Sequence, residues 1–134
     1  MSPVLAFLGR HTEQTYALVR IVVPLLYFCH GAQKLFGWFG GMGGHSVWGG
    51  PPQFIAAGLI EVPTGILMAL GLFTTPIAFL ASGEMAIAYF TQHLPRGFWP
   101  IENYGELPVL FSFVFLYIAC RGAGIWSLDA LRRR

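Results

Sequence analysis

The stretch Tyr16 to Phe39, YALVRIVVPLLYFCHGAQKLFGWF, constrains the chain more than any other. A helix crosses a bilayer with about 20 predominantly apolar residues, and this run is long and apolar enough to do so. Yet it carries Arg20 near one end and His30, Gly31 and Lys34 toward the other. A soluble core helix has no need of so long an apolar run, and a plain anchor has no need of those charges. Long stems reaching back to the interface account well for Arg20 and Lys34. They account poorly for His30, a short side chain one turn deeper. The stretch predicts a membrane protein with polar groups in its interior.

Composition points the same way. The 134 residues are 55% hydrophobic and 10% charged, where a soluble domain carries roughly 25% charged residues. Mean hydropathy is +0.61. The net charge of +2 includes Arg132, Arg133 and Arg134, so the basic tail reads as a topology signal. No basic stripe lies elsewhere, which argues against a nucleic-acid partner. Cys29 and Cys120 sit in apolar runs, where they act as small hydrophobes, and no Cys/His zinc spacing is present. The opening MSPVLAFLGRHTEQ lacks the charged, apolar and small-residue order of a cleaved leader. It is expected to stay, with Pro3 to Leu8 lying at the interface.

Four apolar segments follow at about residues 16–36, 54–72, 76–93 and 105–121. They predict an all-α membrane protein: a single domain over residues 1–134, folded as a compact four-transmembrane-helix bundle. Pro51-Pro52 start the second span, Pro63 interrupts it, and Pro76 is expected to initiate the third after the tight turn FTTP. The first of two outer loops is rich in glycine, GWFGGMGGHSVWGGPP. Arginine and lysine concentrate at the two termini, so both are expected in the cytoplasm, with loops 37–53 and 94–106 outside. Trp38, Trp48 and Trp99 fit an outer aromatic belt and Trp126 an inner one.

Glu61 and Glu84 each fall about 12 Å along their own spans, counting 1.5 Å per residue. His30 comes out near the depth of Glu61. An ionised carboxylate there is costly, so each must be protonated, paired or facing a wet cavity. The bland alternative is a buried pair in which Arg20 or Lys34 neutralises a glutamate and fixes helix docking. Three such groups in so small a bundle favour function over docking alone. Arg20, Tyr27 and Lys34 recur every seven residues on one face. Small residues flank both acids (Ala57 and Gly65 around Glu61, Ala81 and Ala88 around Glu84), marking helix-facing surfaces.

The loop residues His45, Arg96, Glu102, Asn103 and Glu106 read as solvated, and His93 as an interfacial cap before a ligand group. A metal site from His30, Glu61 and His93 has no recognised ligand spacing, and none is expected. GGMGG lacks the strand–helix context of a phosphate cradle, and no Ser–His–Asp or Cys–His arrangement is defensible. The combined expectation is that His30, Lys34, Glu61, Glu84 and His93 converge on one cavity open toward the outer loops. Arg20 would close its inner end by pairing with Glu84. A ring held there would meet His30 and Glu61, with Tyr27 as a wall.

HGAQKLFG (His30 to Gly37) with the following GGPP, LIEVPTGILMALGLFTTP (Leu59 to Pro76), GEMAIAYFTQHLPRGFWPIENYGE (Gly83 to Glu106) and GAGIWSLD near the end occur in that order. Together they resemble the DoxX family, from about Arg20 to Asp129. The resemblance implies a four-helix protein of the bacterial inner membrane. It also implies association with a redox system, quinone-linked or concerned with oxidative stress, with the biochemical activity of most members unassigned. One reading is therefore a subunit that binds an apolar or quinone-like ligand or docks a catalytic partner. The other is a structural or accessory subunit of a larger membrane complex, its polar residues serving assembly only. Expected partners are the lipid bilayer and other membrane subunits or a second copy. The resemblance leaves the cofactor unknown, with quinone the possible one; nothing resembles a haem, flavin or iron–sulfur motif.

Overall fold

Prolines start helices in this chain and left-handed glycines end them. The computed structural model describes residues 1–134, and every regular element in it is helical. Helix α1 (Pro3–Arg10) opens on Pro3, capped by the Ser2 hydroxyl, and α2 (Thr12–Phe36) follows almost at once. After the glycine-rich segment comes α3 (Pro52–Leu70), with Pro52 at its first position, where a missing N–H costs nothing. Gly71, with φ of 67°, ends α3 in a conformation that other residues resist. Helix α4 (Thr74–Ala88) continues into a π-helical turn (Tyr89–His93) and a 3-10 turn (Leu94–Arg96). Short α5 (Pro100–Asn103), then α6 (Glu106–Arg121) and α7 (Leu128–Arg132), complete the chain.

Helices α2 and α3 are the two long and apolar enough to cross a membrane. The helix bounds differ a little from the spans read in the sequence. Gly71 stops α3 two residues before 72, and α4 starts at Thr74, so Pro76 lies inside its first turn. The turn is therefore Gly71 to Phe73, not FTTP. What fixes the start of α4 is remote in sequence: the Asp129 carboxylate accepts from the Phe73 and Thr74 amides at 3.0 and 2.9 Å and from the Thr74 hydroxyl at 2.8 Å. Partial burial works to raise the Asp129 carboxyl, but these bonds and Arg132 outweigh it and hold the group below its ordinary range.

The bundle is two tight helix pairs, α2 with α3 and α4 with α6; α3 packs less extensively on α4, and α2 barely meets α6. Glycine explains the first pair. A Cβ on Gly31 would stand 2.8 Å from the Glu61 Cβ, and one on Gly65 would stand 2.9 Å from the Pro24 carbonyl. Only bare backbone lets the antiparallel helices come so close. In the second pair Ala78, Ala81 and Met85 bury against Phe111, Phe115 and Ile118. Ser82 and Ser112 cross-link that pair, each hydroxyl donating to the other's carbonyl at 2.7 and 3.0 Å.

Just 28 of the 134 residues are buried, and the outward faces carry Leu18, Val22, Leu26, Ile66, Phe79, Ile87, Phe113 and Leu116 exposed. A water-facing protein hides such side chains; a lipid-facing one presents them.

One end gathers the start of α2, the α3–α4 turn and the segment after α6. Arg20, wholly buried, holds it together. Its Nη1 donates to the Met68 and Ala69 carbonyls at 3.0 and 2.8 Å, and its Nη2 to those of Ile125 and Trp126 at 3.1 and 2.7 Å. Two of these are among the last carbonyls of α3, which lack intrahelical donors and lie at the negative end of the helix dipole. The expected pairing of Arg20 with Glu84 does not form. The backbone carbonyls occupy both terminal nitrogens of the guanidinium, and Glu84 takes its hydrogen bond from Tyr27 instead. Nearby the Tyr16 hydroxyl donates to the Gly122 carbonyl, and Arg121 pairs with Glu13.

Arg20→Met would leave the Ala69, Ile125 and Trp126 carbonyls without their donor in a closed site, while Met68 keeps the Gly71 amide. The expected cost is at least about 3 kcal/mol, read as a large drop in melting midpoint in mild detergent. An unchanged midpoint would show that Arg20 does not hold this end together.

Candidate functional site

Between the two helix pairs lies a cavity of about 830 Å³. That volume is in the usual range for small-molecule sites, roughly 300–1,000 Å³. All five residues singled out above, His30, Lys34, Glu61, Glu84 and His93, line it, together with Tyr27 and Phe111. Arg20 does not.

Helix α2 supplies three of these groups at helical spacing. Lys34 lies one turn beyond His30, and its ammonium reaches across to α3, 2.8 Å from Glu61 Oε2 and 3.1 Å from Oε1. Glu61 is 1% exposed, so this ion pair sits in a low-dielectric interior. Gly31, between the two α2 residues, brings the α3 backbone close enough for the lysine stem to span the gap. Of the two roles open to Lys34, the structure selects the contact with Glu61.

Glu84 is held differently. None of the three ion pairs in the protein includes it. Its Oε2 accepts from the Tyr27 hydroxyl at 3.1 Å. Tyr27 is fully buried, its ring edge-on to Phe115 at 4.9 Å and to Phe111 at 5.7 Å. His30 also meets Phe111 edge-on, at 6.0 Å. The cavity therefore has one neutralised carboxylate and one carboxyl without a cation, the latter held by the Tyr27 phenol.

The far end is built by the loops. In the π-helical turn, the extra residue swings His93 so that its Nδ1 lies 3.0 Å from the Asn103 carbonyl, with the ring stacked on Tyr89. Asn103, read from the sequence as a solvated loop residue, is fully buried. Its Nδ2 donates to the Gly97 carbonyl at 2.8 Å, and its Oδ1 accepts from the Gly105 amide at 2.8 Å. The signal was the run Asn-Tyr-Gly, since an asparagine oxygen commonly caps the amide two residues on. On the other side Val47 N and Trp48 Nε1 donate to the Lys34 and Leu35 carbonyls, folding the glycine-rich segment over the end of α2. No group of three or more His, Cys, Asp or Glu side chains is disposed to hold a metal ion.

These features define a helical membrane protein with a polar-floored, apolar-walled cavity between two helix pairs. The chain belongs to the DoxX family: the family's sequence profile matches residues 15–94, which include all of these α2, α3 and α4 residues. It is 44% identical over 125 residues to an uncharacterized protein of Haemophilus influenzae, covering 91% of this chain and 93% of that one. It is 29% identical over 123 residues to the inner membrane protein YphA of Escherichia coli, covering 84% of this chain and 86% of that one. No solved structure matches it.

The two carboxyls should respond differently to the same substitution. Glu61→Gln strands the Lys34 ammonium and is expected to cost about 3–5 kcal/mol. Glu84→Gln keeps an acceptor for Tyr27 and should cost less than about 1 kcal/mol. Melting of the two variants in detergent distinguishes them, and equal losses would contradict the division of roles.

Proposed function

We propose that this protein is a four-span, inner-membrane subunit whose cavity holds an apolar, quinone-like ligand for a redox system. The observation that carries the reading is the Glu84–Tyr27 pair: a hydrogen-bonding group without a counter-ion, facing a ring-sized, largely apolar cavity. A ring oxygen would meet Glu84, Tyr27 and the His30 imidazole, while Phe111 and Met85 supply the walls. Lys34 and Glu61 satisfy one another and act as a fixed side of the site, with His93 at its loop end.

Four spans are supported by the lengths. Helix α4 and its π turn run unbroken from Thr74 to His93, about 30 Å at 1.5 Å per residue, and α6 packs along it. The Arg20 end also gathers Arg10, Arg121 and the three terminal arginines, while Trp38, Trp48 and Trp99 are exposed on the segments at the opposite end. That distribution supports cytoplasmic termini. Reporter fusions after Arg134 and within residues 40–50 should be active on opposite sides, the terminal one in the cytoplasm. A terminal reporter active only outside would overturn the orientation.

The accessory reading is favoured by one observation, the Lys34–Glu61 ion pair, which by itself serves docking. Purification in mild detergent separates the two. A short-tailed benzoquinone should raise the melting midpoint of the wild type and bind Glu84→Gln about tenfold more weakly, a loss of about 1.4 kcal/mol. Absence of any quinone effect, with firm retention in a large complex, would establish the accessory role.

A further inference from the structure

We propose that the cavity opens sideways into the hydrocarbon, through a slot between α3 and α4. Its ligand is then a long-tailed amphiphile that enters from the membrane, its head at Glu84 and its tail in the slot. This rests on the ligand-binding reading above and adds the route and the ligand's shape.

The first observation is the course of the wall. Cavity-lining residues follow α4 from Pro76 through Leu80, Gly83 and Ile87 to His93. The eighteen residues from Pro76 to His93 span about 25 Å, so the wall runs nearly the full length of α4 and its π turn.

The second is that the same wall residues belong to the outer surface. Phe79 is 65% exposed, Leu80 50% and Ile87 66%, yet each lines the cavity. Across the gap on α3, Ala56 is likewise both exposed and cavity-lining. A residue can face both ways only where the surface is open between them. That opening falls where α3 and α4, joined through the Gly71–Phe73 turn, pack less closely than either does on its other neighbour.

The third is Gly83. Its φ lies in the ordinary helical range, and no atom comes within 4 Å of where its Cβ would stand. Neither backbone conformation nor packing requires glycine there, and alanine is the better helix former. What the missing side chain does is keep the sill beside Glu84 low. On α3, Ala56 and Ala57 also line the cavity and are small.

The electrostatics suit a tail. The charged groups facing Glu84 are Lys34 and Glu61, already paired, with His30 and Tyr27 on α2 and His93 and Arg96 at the loop end. Helix α6 contributes no ionisable side chain to the lining. The slot itself presents alanine, glycine, leucine, isoleucine and phenylalanine, which cost nothing to place against hydrocarbon.

The test uses the whole protein in nanodiscs containing a phospholipid with a diazirine at mid-chain. This probe reaches only what hydrocarbon reaches, and on illumination it is captured by carboxyl and phenol groups. Peptide mass spectrometry should find adducts on Glu84 and Tyr27. Gly83→Trp or Ala56→Trp, both placed in open space, should reduce those adducts about tenfold while adducts on lipid-facing Tyr117 stay unchanged. Adducts on Tyr117 without any on Glu84 or Tyr27, or undiminished labelling in both tryptophan variants, would overturn the slot. Short-tailed benzoquinone binding is measured on the same samples. Binding that persists without Glu84 adducts refutes the sideways route and leaves the cavity reading standing. Adducts without quinone binding support the slot, with bilayer lipid as its occupant, and refute the quinone reading.

Discussion

The ion pair between Lys34 and Glu61 sets the terms for the rest of the bundle. A charge inside an apolar structure is tolerated when its partner is close and its remaining hydrogen-bonding capacity is met. Both oxygens of Glu61 face the ammonium, and the pair is closed off by the backbone contact at Gly31. Helix α2 and α3 thus have a single register: slide either by one residue and the glycine no longer meets the carboxylate-bearing turn. Fourteen residues earlier on α2, about 21 Å away, Arg20 fastens the other end of the same pair through backbone carbonyls. One helix pair is therefore locked at two depths by two different chemistries, a carboxylate partner at one and helix-end carbonyls at the other.

That rigidity is what gives Glu84 its character. It sits on the opposite wall, on a helix that packs mainly against α6, and the nearest lysine is already committed to Glu61. A carboxyl in that position has a phenol for company and open space beyond. Two acids of the same type, carried at similar positions along neighbouring helices, thereby acquire unlike roles from their neighbours alone. The environment, not the residue type, separates structural glutamate from candidate ligand group.

The ends of the bundle follow the same logic of satisfying backbone polar groups where water is scarce. Asp129 supplies acceptors for the first amides of α4, and Ser127 caps α7 through the Ala130 amide. At the loop end Asn103 does comparable work for Gly97 and Gly105, and Trp48 covers a free carbonyl of α2. Both loops are consequently built structures that leave the cavity between them. They also explain why glycine-rich and asparagine-containing segments, unremarkable as composition, are specific as geometry.

Much of this was legible in one dimension. Length and hydropathy fixed the helical membrane class, and proline and glycine marked helix ends to within a few residues. His30, Lys34, Glu61 and Glu84 now line the cavity from three helices. Counting 1.5 Å per residue gave their depths, because depth along a helix depends only on sequence position. Rotation about the helix axis and the choice of partner helix do not. Sequence allowed Arg20 to face Glu84 and left Lys34 free to choose; the packing of α3 against α2 at Gly31, and the return of residues 125–126 to the start of α2, decided both. Asp129 was illegible for the same reason, since it acts on Phe73 and Thr74, backbone that only the folded chain brings near; Asn103 was legible locally through its own turn. The sequence by itself determined which polar groups enter the bundle and at what depth. The tertiary structure alone decided which are neutralised and which is left facing the cavity, because charge compensation is a matter of a few ångströms between different helices.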